Sequence, residues 1–411
     1  MRKIIVGVLT VCLLLMGCGG PDNTPTATEP ASTPTGTEVA ATPTATPETA
    51  ATPTATPEEA ELSILFINVG YGDAALIRAG GKTYMVDTGK KEAVPALYRA
   101  LAMLGVTHLD GLFLTHTHSD HIGGAAAVAL RCDIGTLYTA KISMDKKSGK
   151  NALDEVAADI GLTRTKLSAG DTVYVADGVY FEVLGPISYN GDNDNDNSLV
   201  MKLHAGGVTV LLTGDMQFAE EASLMAAGTD LTADALKVGN HGNPDATSEA
   251  FANAVGAQVA VISTSTAEDD DTPNDRVLDA LSGAQIYVTQ NYACGVLLTA
   301  TGGVMELSGP LPQTATADIA IQSIDKDAQT ITLVNNGADA DLSGYFIWSV
   351  KGSEVFMFPQ GAFLAAGDTL TVACRNGEGD FIWDEKKVWS DKDDEMGILY
   401  DAYGNELSRL A

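Results

Sequence analysis

Three histidines and an aspartate crowd into Thr115-His116-Thr117-His118-Ser119-Asp120-His121, directly after the apolar stretch Gly111–Thr115. A buried strand that ends in such a run must deliver it to the edge of a sheet, on a loop open to ligands. Side chains that share a face of a helix recur at three or four residues, whereas alternate spacing on an irregular loop turns His116 and His118 toward one point. Asp120 and His121 are then free to face a second. Imidazole and carboxylate together suit zinc or manganese. A polar surface loop is the alternative, and it gives no reason for so many imidazoles in one place.

Around this run the chain alternates short apolar stretches with helical ones. Leu62–Val69, Ala74–Ile77, Thr83–Val86, Phe181–Leu184, Ser198–Leu203, Val208–Thr213 and Ala235–Val238 read as strands. Glu92–Leu104, Ile122–Leu130, Gln217–Ala226 and Ser248–Val255 read as helices. Strand clusters with helices between and outside them imply an α/β layered domain over residues 61–309. Beyond Gly309 the texture changes to alternating runs such as Ile331–Val334, Tyr345–Val350, Glu354–Phe358 and Thr369–Ala373, broken by Gly, Asn and Asp turns. An all-β sandwich over residues 313–411 is expected there.

The N-terminus speaks to location. Arg2 and Lys3 precede an apolar run from Ile4 to Met16, followed by small residues, which is the pattern of a secretion signal over residues 1–17. The ending Leu15-Met16-Gly17-Cys18 resembles the bacterial lipobox, so Cys18 is the expected lipidation site and the protein is expected on the cell surface, tethered to the membrane by its lipid. Residues 18–60 are rich in Thr, Ala and Pro, with the block Ala41–Glu48 recurring unchanged at Ala51–Glu58. That composition builds no core and serves as an extended spacer. Of five cysteines, Cys132, Cys294 and Cys374 remain after Cys12 in the signal and Cys18; an odd, scattered remainder is not a disulfide framework. The formal net charge of −30 disfavours a protein that coats polyanions, while leaving room for a local basic patch.

His116, His118, Asp120 and His121 match in full the HxHxDH motif of the metallo-β-lactamase superfamily, which the chain resembles over most of Leu62–Leu307. The likeness is closest to the extracytoplasmic hydrolase domain of ComEC-type competence proteins, through Asn68–Ala74, Asp87-Thr88-Gly89, Asn197–Val200, Leu212–Asp215 and Leu236–His241. The resemblance implies an αββα sandwich with two divalent ions, Zn or Mn, at one edge. It also implies that Asp215 bridges them, while the position of Asp215 after an apolar strand equally suits a helix cap. His241 is the further expected ligand, with a hydrogen-bonding loop histidine as the alternative. Three positions depart from the competence branch: Asn240 stands where the first of two adjacent histidines is usual, Asn243 where serine is, and Thr272 where histidine is. If that first histidine is the ligand, the second ion is weakened, so the site at His116 and His118 is expected to hold its ion more tightly.

Two cations activate a water for in-line displacement. Asp120 is the candidate proton acceptor, Asp87 a candidate orienting partner for a ligand imidazole, and Asn197 and Ser198 are candidate donors to a substrate oxyanion. A phosphodiester, DNA above all, is the expected substrate, with Lys141, Lys146, Lys147 and Lys150 nearby as a basic patch or an ordinary solvated loop. The alternatives are a small-substrate metallo-hydrolase and a surface adhesion protein with a degenerate metal site. The C-terminal segment resembles the lamin-tail domain, an immunoglobulin-like sandwich, through Leu342–Tyr345, Phe356–Phe358, Gly367–Thr369 and Leu399–Gly404. That likeness implies a binding or tethering module with an unidentified surface partner.

Overall fold

The computed structural model describes residues 61–314, 317–390 and 395–411. The expected signal, the lipidation site Cys18 and the spacer lie outside the described residues. Leu62–Ile67 is buried at every position, because it is covered on both sides. Ile64 and Phe66 point into a core between two sheets, while Leu65 and Ile67 point into a second core under helices. A strand covered on both faces reads as a continuous apolar run. It lies third in an eight-stranded sheet ordered Val304–Ser308, Gly295–Thr301, Leu62–Ile67, Ala75–Ala79, Lys82–Val86, Gly111–Leu114, Leu137–Ala140 and Arg164–Leu167. The facing sheet has seven strands, Gln285–Val288, Val259–Ile262, Ala235–Lys237, Val208–Leu212, Val200–Ala205, Val179–Gly185 and Thr172–Ala176.

Helices Val94–Met103, Ala125–Arg131 and Ala152–Asp159 cover the outer face of the first sheet, and Phe218–Ala226, Glu249–Val255 and Asp275–Ala280 that of the second. The result is the four-layered αββα sandwich. Within each sheet the strands that lead into the site are parallel: Lys82–Val86 with Gly111–Leu114, and Val208–Leu212 with Ala235–Lys237. Parallel neighbours end on the same side. Asp87, His116, Asp215 and His241 therefore emerge along one edge.

One element differs from its expected form. The strand stops at Leu114, and a helical turn over Ser119–Ile122 precedes the helix Ala125–Arg131, in place of one helix from Ile122. Gly123 and Gly124 separate the two because the chain passes tight against its neighbours there; a Cβ on Gly124 would stand 2.3 Å from the Thr88 carbonyl oxygen.

The C-terminal segment is a sandwich of two four-stranded sheets, Ile319–Asp325, Thr330–Asn335, Thr369–Cys374, Phe381–Trp383 against Val355–Met357, Phe346–Ser349, Gly397–Tyr400, Glu406–Leu410. Trp383 and Trp389 fill its core. It does not stand apart. Phe346, Trp348, Ile398 and Tyr400 join the helix-covered core of the αββα body, with Phe346 edge-on to Tyr98 at 4.7 Å between ring centroids. Arg131 lies over the Tyr98 ring and donates to the Ala402 and Gly344 carbonyls at 2.8 and 3.4 Å, and Arg99 donates to the Gly404 carbonyl. Apolar burial and half-buried charge-assisted hydrogen bonds thus make the two parts one compact body.

Arg131→Ala leaves two carbonyls of this interface unpaired and removes a cation–π contact. The expected outcome is about 1–3 kcal/mol of lost stability in denaturant unfolding, with a single transition in which fluorescence and far-UV dichroism coincide. Two separate transitions in the native protein would contradict the joint core.

Candidate metal centre

The buried strand Gly111–Leu114 hands the chain to Thr115 and His116, both buried, and then to the exposed His118. Asp87 shapes this exit. Its Oδ1 accepts from the Thr115 N–H at 2.8 Å, and its Oδ2 accepts from the Thr115 hydroxyl and from His121 Nδ1, each at 2.8 Å. Since Thr115 Oγ1 gives its proton to Asp87, it is an acceptor for His116 Nδ1 at 3.0 Å. Both rings are thereby fixed with Nδ1 protonated and Nε2 turned inward. Asp87 itself adopts a left-handed backbone, φ 57°, an uncommon conformation for a residue with a side chain.

His241 arrives from the opposite sheet. After Val238 the chain makes a tight turn in which Asn240 and His241 both have positive φ, 43° and 55°. Two such residues in succession are held only by strongly determined surroundings. The Asn240 amide turns away and donates to Asp245 at 2.8 Å, while His241 Nδ1 donates to the Ser263 carbonyl at 3.0 Å. His241 Nε2 is left 3.2 Å from both Asp120 Oδ2 and Asp215 Oδ2. His121 Nε2 stands 3.0 Å from Asp215 Oδ2 and 3.9 Å from Asp120 Oδ2, and His116 Nε2 is 3.7 Å from Asp215 Oδ2. The structure therefore brings His116, His118, Asp120, His121, Asp215 and His241 together. Asn240 is not among them.

Within this cluster the Nε2 atoms of His116, His121 and His241 and Oδ1 of Asp215 are buried without a hydrogen-bond partner. Orphaned buried polar atoms are costly, and several aimed at one place call for a cation between them. The electrostatics agree. Burial drives the His116 imidazole well below its ordinary range, and His121 adds to the effect. Burial acts on His121 and His241 in the same sense, but Asp215 outweighs it, aided by Asp87 and Asp120 respectively, and both are held well above that range. Burial would raise Asp215, yet His121 and His241 hold it well below the usual carboxylate range. The cluster demands positive charge, and its donor atoms suit a divalent ion. Two donor groups satisfy the geometry: His116, His118 and Asp215, and the buried set around His121, Asp215 and His241.

Asn197 and Ser198 do not reach the place expected of them. Both are fully buried. Asn197 Nδ2 donates to the Asn190 carbonyl and to Asp194 Oδ1, each at 2.9 Å, and its Oδ1 accepts from the Asn190 N–H at 2.8 Å. Ser198 Oγ accepts the Asp215 N–H at 3.0 Å. Their polar atoms hold the loop and the Asp215 backbone, and in this arrangement neither side chain is exposed to a substrate.

Asp194 was not legible as functional in the Asn/Asp-rich run, yet it anchors the ligand loop. Its Oδ2 accepts from the N–H and hydroxyl of Thr117, and its Oδ1 from the Met144 N–H. Lys237 and Asp73 form a buried ion pair beside the centre, for which a lysine ending an apolar strand is the sequence signal. Asn243 donates to the Tyr71 hydroxyl at 2.8 Å, and the buried Thr272 shares a hydrogen bond with Thr264. His108 and His204 lie elsewhere, paired with Asp133 and Glu182.

The Metallo-beta-lactamase superfamily profile matches residues 67–266, and the Lamin Tail Domain profile residues 312–411. These two regions belong to those families. The chain is 27% identical over 260 residues to ComE operon protein 3 of Bacillus subtilis, covering 58% of this chain and 33% of that protein. It is 30% identical over 241 residues to Competence protein ComA of Neisseria gonorrhoeae, covering 58% and 32%. A shorter match, 32% over 94 residues, is to Ribonuclease Z of Mycobacterium avium, covering 23% and 32%. The chain thus spans about a third of the length of these relatives. The metallo-β-lactamase region is similar to that of the competence proteins and has the fold of a metal-dependent hydrolase.

Behind Asp215 the chain enters the helix Phe218–Ala226, and Asp196 Oδ1 accepts from the N–H groups of Gln217 and Glu220 at 3.1 Å. Glu220 is itself buried, accepting from the Ile187 N–H at 2.7 Å, and burial pushes its carboxyl up to about 7 from 4.5. A carboxyl that binds its proton more tightly when folded stabilises the fold fully below the unfolded value, and that contribution fades as pH rises through the folded one. The expected loss between pH 4.5 and just above 7 is about 3 kcal/mol. Glu220→Gln, which keeps the acceptor, should flatten the fall in melting temperature between pH 5 and 8; an unchanged slope would contradict the assignment.

Proposed function

We propose that this protein is a metal-dependent phosphodiesterase that acts on DNA or a related polymer at the cell surface. The observation that carries the reading is the convergence of three unpartnered histidine Nε2 atoms on the buried carboxylate of Asp215, beside Asp120. His116, His118 and Asp215 would hold one divalent ion, and Asp120, His121, Asp215 and His241 the other. Such a pair supplies Lewis acidity to the reacting phosphate and lowers the pKa of an attacking water.

The chain's own residues supply position and proton transfer. Asp87 and the Ser263 carbonyl orient His121 and His241, Asp194 fixes the loop between His116 and His118, and Ser198 fixes the backbone of Asp215. Asp120 is held below the usual carboxylate range: burial would raise it, but the hydrogen bond from His241 and the charge of His121 prevail. Asp120 thus stays ionised at 17% exposure and would be the group that accepts the water's proton, at the cost of a weakened basicity.

The order of the two ions inverts the expectation drawn from Asn240. The second group gathers His121, Asp215 and His241 with Asp120 Oδ2 3.2 Å from His241 Nε2, whereas the first offers His116, His118 and Asp215, with His118 exposed. We therefore assign tighter binding to the group around His121 and His241. The adhesion reading rested on Asn240 and loses that support, since His241 fills the position.

DNA as the substrate draws support from the competence proteins and from the shorter match to Ribonuclease Z. The lysine patch adds less than its four charges suggest, because Lys146 and Lys150 share Glu155, at 2.6 and 3.4 Å. The net charge of −30 keeps a small ester-like substrate as the second reading. Anchoring through Cys18 belongs to the same proposal, on the strength of residues 1–18. The lamin tail domain would meet a surface partner of unidentified chemistry.

Asp215→Asn is expected to reduce cleavage of bis(p-nitrophenyl) phosphate and of DNA by more than the roughly 10–100-fold typical of altering a ligand's outer partner, with the fold intact. Persistent cleavage would overturn the site. Activity on DNA that falls steeply with salt supports a polyanion held by charge; small-ester turnover with no action on DNA would favour the second reading.

A further inference from the structure

Lys237 ends the strand Ala235–Lys237, which is buried at all three positions. A lysine there stays only if its ammonium is fully engaged. It forms an ion pair with Asp73, itself buried, and donates to the carbonyls of Val238 at 2.9 Å and Gly214 at 3.4 Å. Each of those partners leads into the metal centre. Gly214 precedes Asp215, Val238 begins the turn that carries His241, and the Asp73 N–H donates to the Asp120 carbonyl at 3.1 Å.

The Asp73 carboxylate lies 3.5 Å from His241 Nδ1 and 4.0 Å from His121 Nδ1. Those nitrogens face away from the convergence point, where Nε2 of each ring stands against Asp215. Asp73 is close enough to count among possible ligands, but it sits behind the rings and its Oδ2 is taken by Lys237. It would serve orientation rather than coordination.

We infer that Lys237 and Asp73 are a positioning pair for the second cation, the ammonium holding Asp73 behind His121 and His241 while tying the Asp215 and His241 segments together. The inference rests on the proposed two-ion reading of the centre. Without its ammonium, Asp73 becomes an unpaired buried carboxylate among Asp87, Asp120 and Asp215, and the two rings lose their common support.

The test is titration of the metal-stripped full-length protein with cobalt(II), read by its visible absorption and by competition with a chromophoric chelator. The native protein should take up two equivalents. Lys237→Met should keep one ion and bind the other about 10–100-fold more weakly, with an altered absorption band. Asp73→Asn, which preserves side-chain volume, should weaken the same ion, and serves if Lys237→Met fails to fold. Combining the two changes should recover part of the affinity lost in Lys237→Met, because neither then leaves a bare charge. Native affinity for both ions in either single variant would overturn the pair. So would a double variant no better than Lys237→Met, which would make the lysine a structural strut. Native protein that binds no cobalt at all would instead overturn the metal reading beneath it.

Discussion

A carboxylate buried against three imidazole nitrogens is unstable unless positive charge joins it. Asp215 Oδ2 lies within 3.0–3.7 Å of Nε2 of His121, His241 and His116, and each of those nitrogens is buried with no hydrogen bond. Desolvation removes the water that would otherwise satisfy them, so the cost is several kcal/mol if the place is left to neutral groups. Protons or metal ions are the two remedies. The rings direct Nδ1 to Thr115, Asp87 and Ser263, which leaves three Nε2 atoms facing one region, where a cation would replace the protons that Asp215 favours on His121 and His241.

The rest of the molecule makes that arrangement affordable. Parallel strands from both sheets end at the same edge, so ligands from distant parts of the sequence meet without long loops. The strained backbone at Asp87, Asn240 and His241 is tolerated because buried strand ends, Tyr84–Val86 and Ala235–Lys237, lead into those turns. Asp194 and Ser198 lock the loops from the flank, and the C-terminal sandwich seals the helices Val94–Met103 and Ala125–Arg131, the second of which follows the ligand loop directly.

Much of this was legible. Apolar runs such as Leu62–Ile67 and Val208–Leu212 announced strands, and the spacing of His116, His118, Asp120 and His121 announced a metal loop. What sequence could not settle was direction. Between Asn240 and His241, only the pair of positive φ angles decides which side chain faces the centre. Asn197 and Ser198 were chemically apt for substrate, yet three-dimensional neighbours consume every polar atom of Asn197 and bind Ser198 to the Asp215 backbone. The edge strand Arg164–Leu167 and the helix Ala152–Asp159 carry too many polar residues to stand out, and Leu137–Ala140 is only four residues long. Glu155, which pairs with Lys146 and Lys150 of the lysine patch, is on that helix. The docking of the two parts was invisible because Phe346 and Tyr400 read simply as sandwich residues.

The central claim is that this cluster is a two-cation centre built on Asp215. Anomalous diffraction from crystals grown with zinc or manganese tests it most directly. The account predicts two peaks flanking the Asp215 carboxylate, the stronger bounded by Asp120, His121 and His241 and the other by His116 and His118, with nitrogen ligands at about 2.0–2.3 Å. Crystals soaked in excess metal that show no peak among these residues would contradict it.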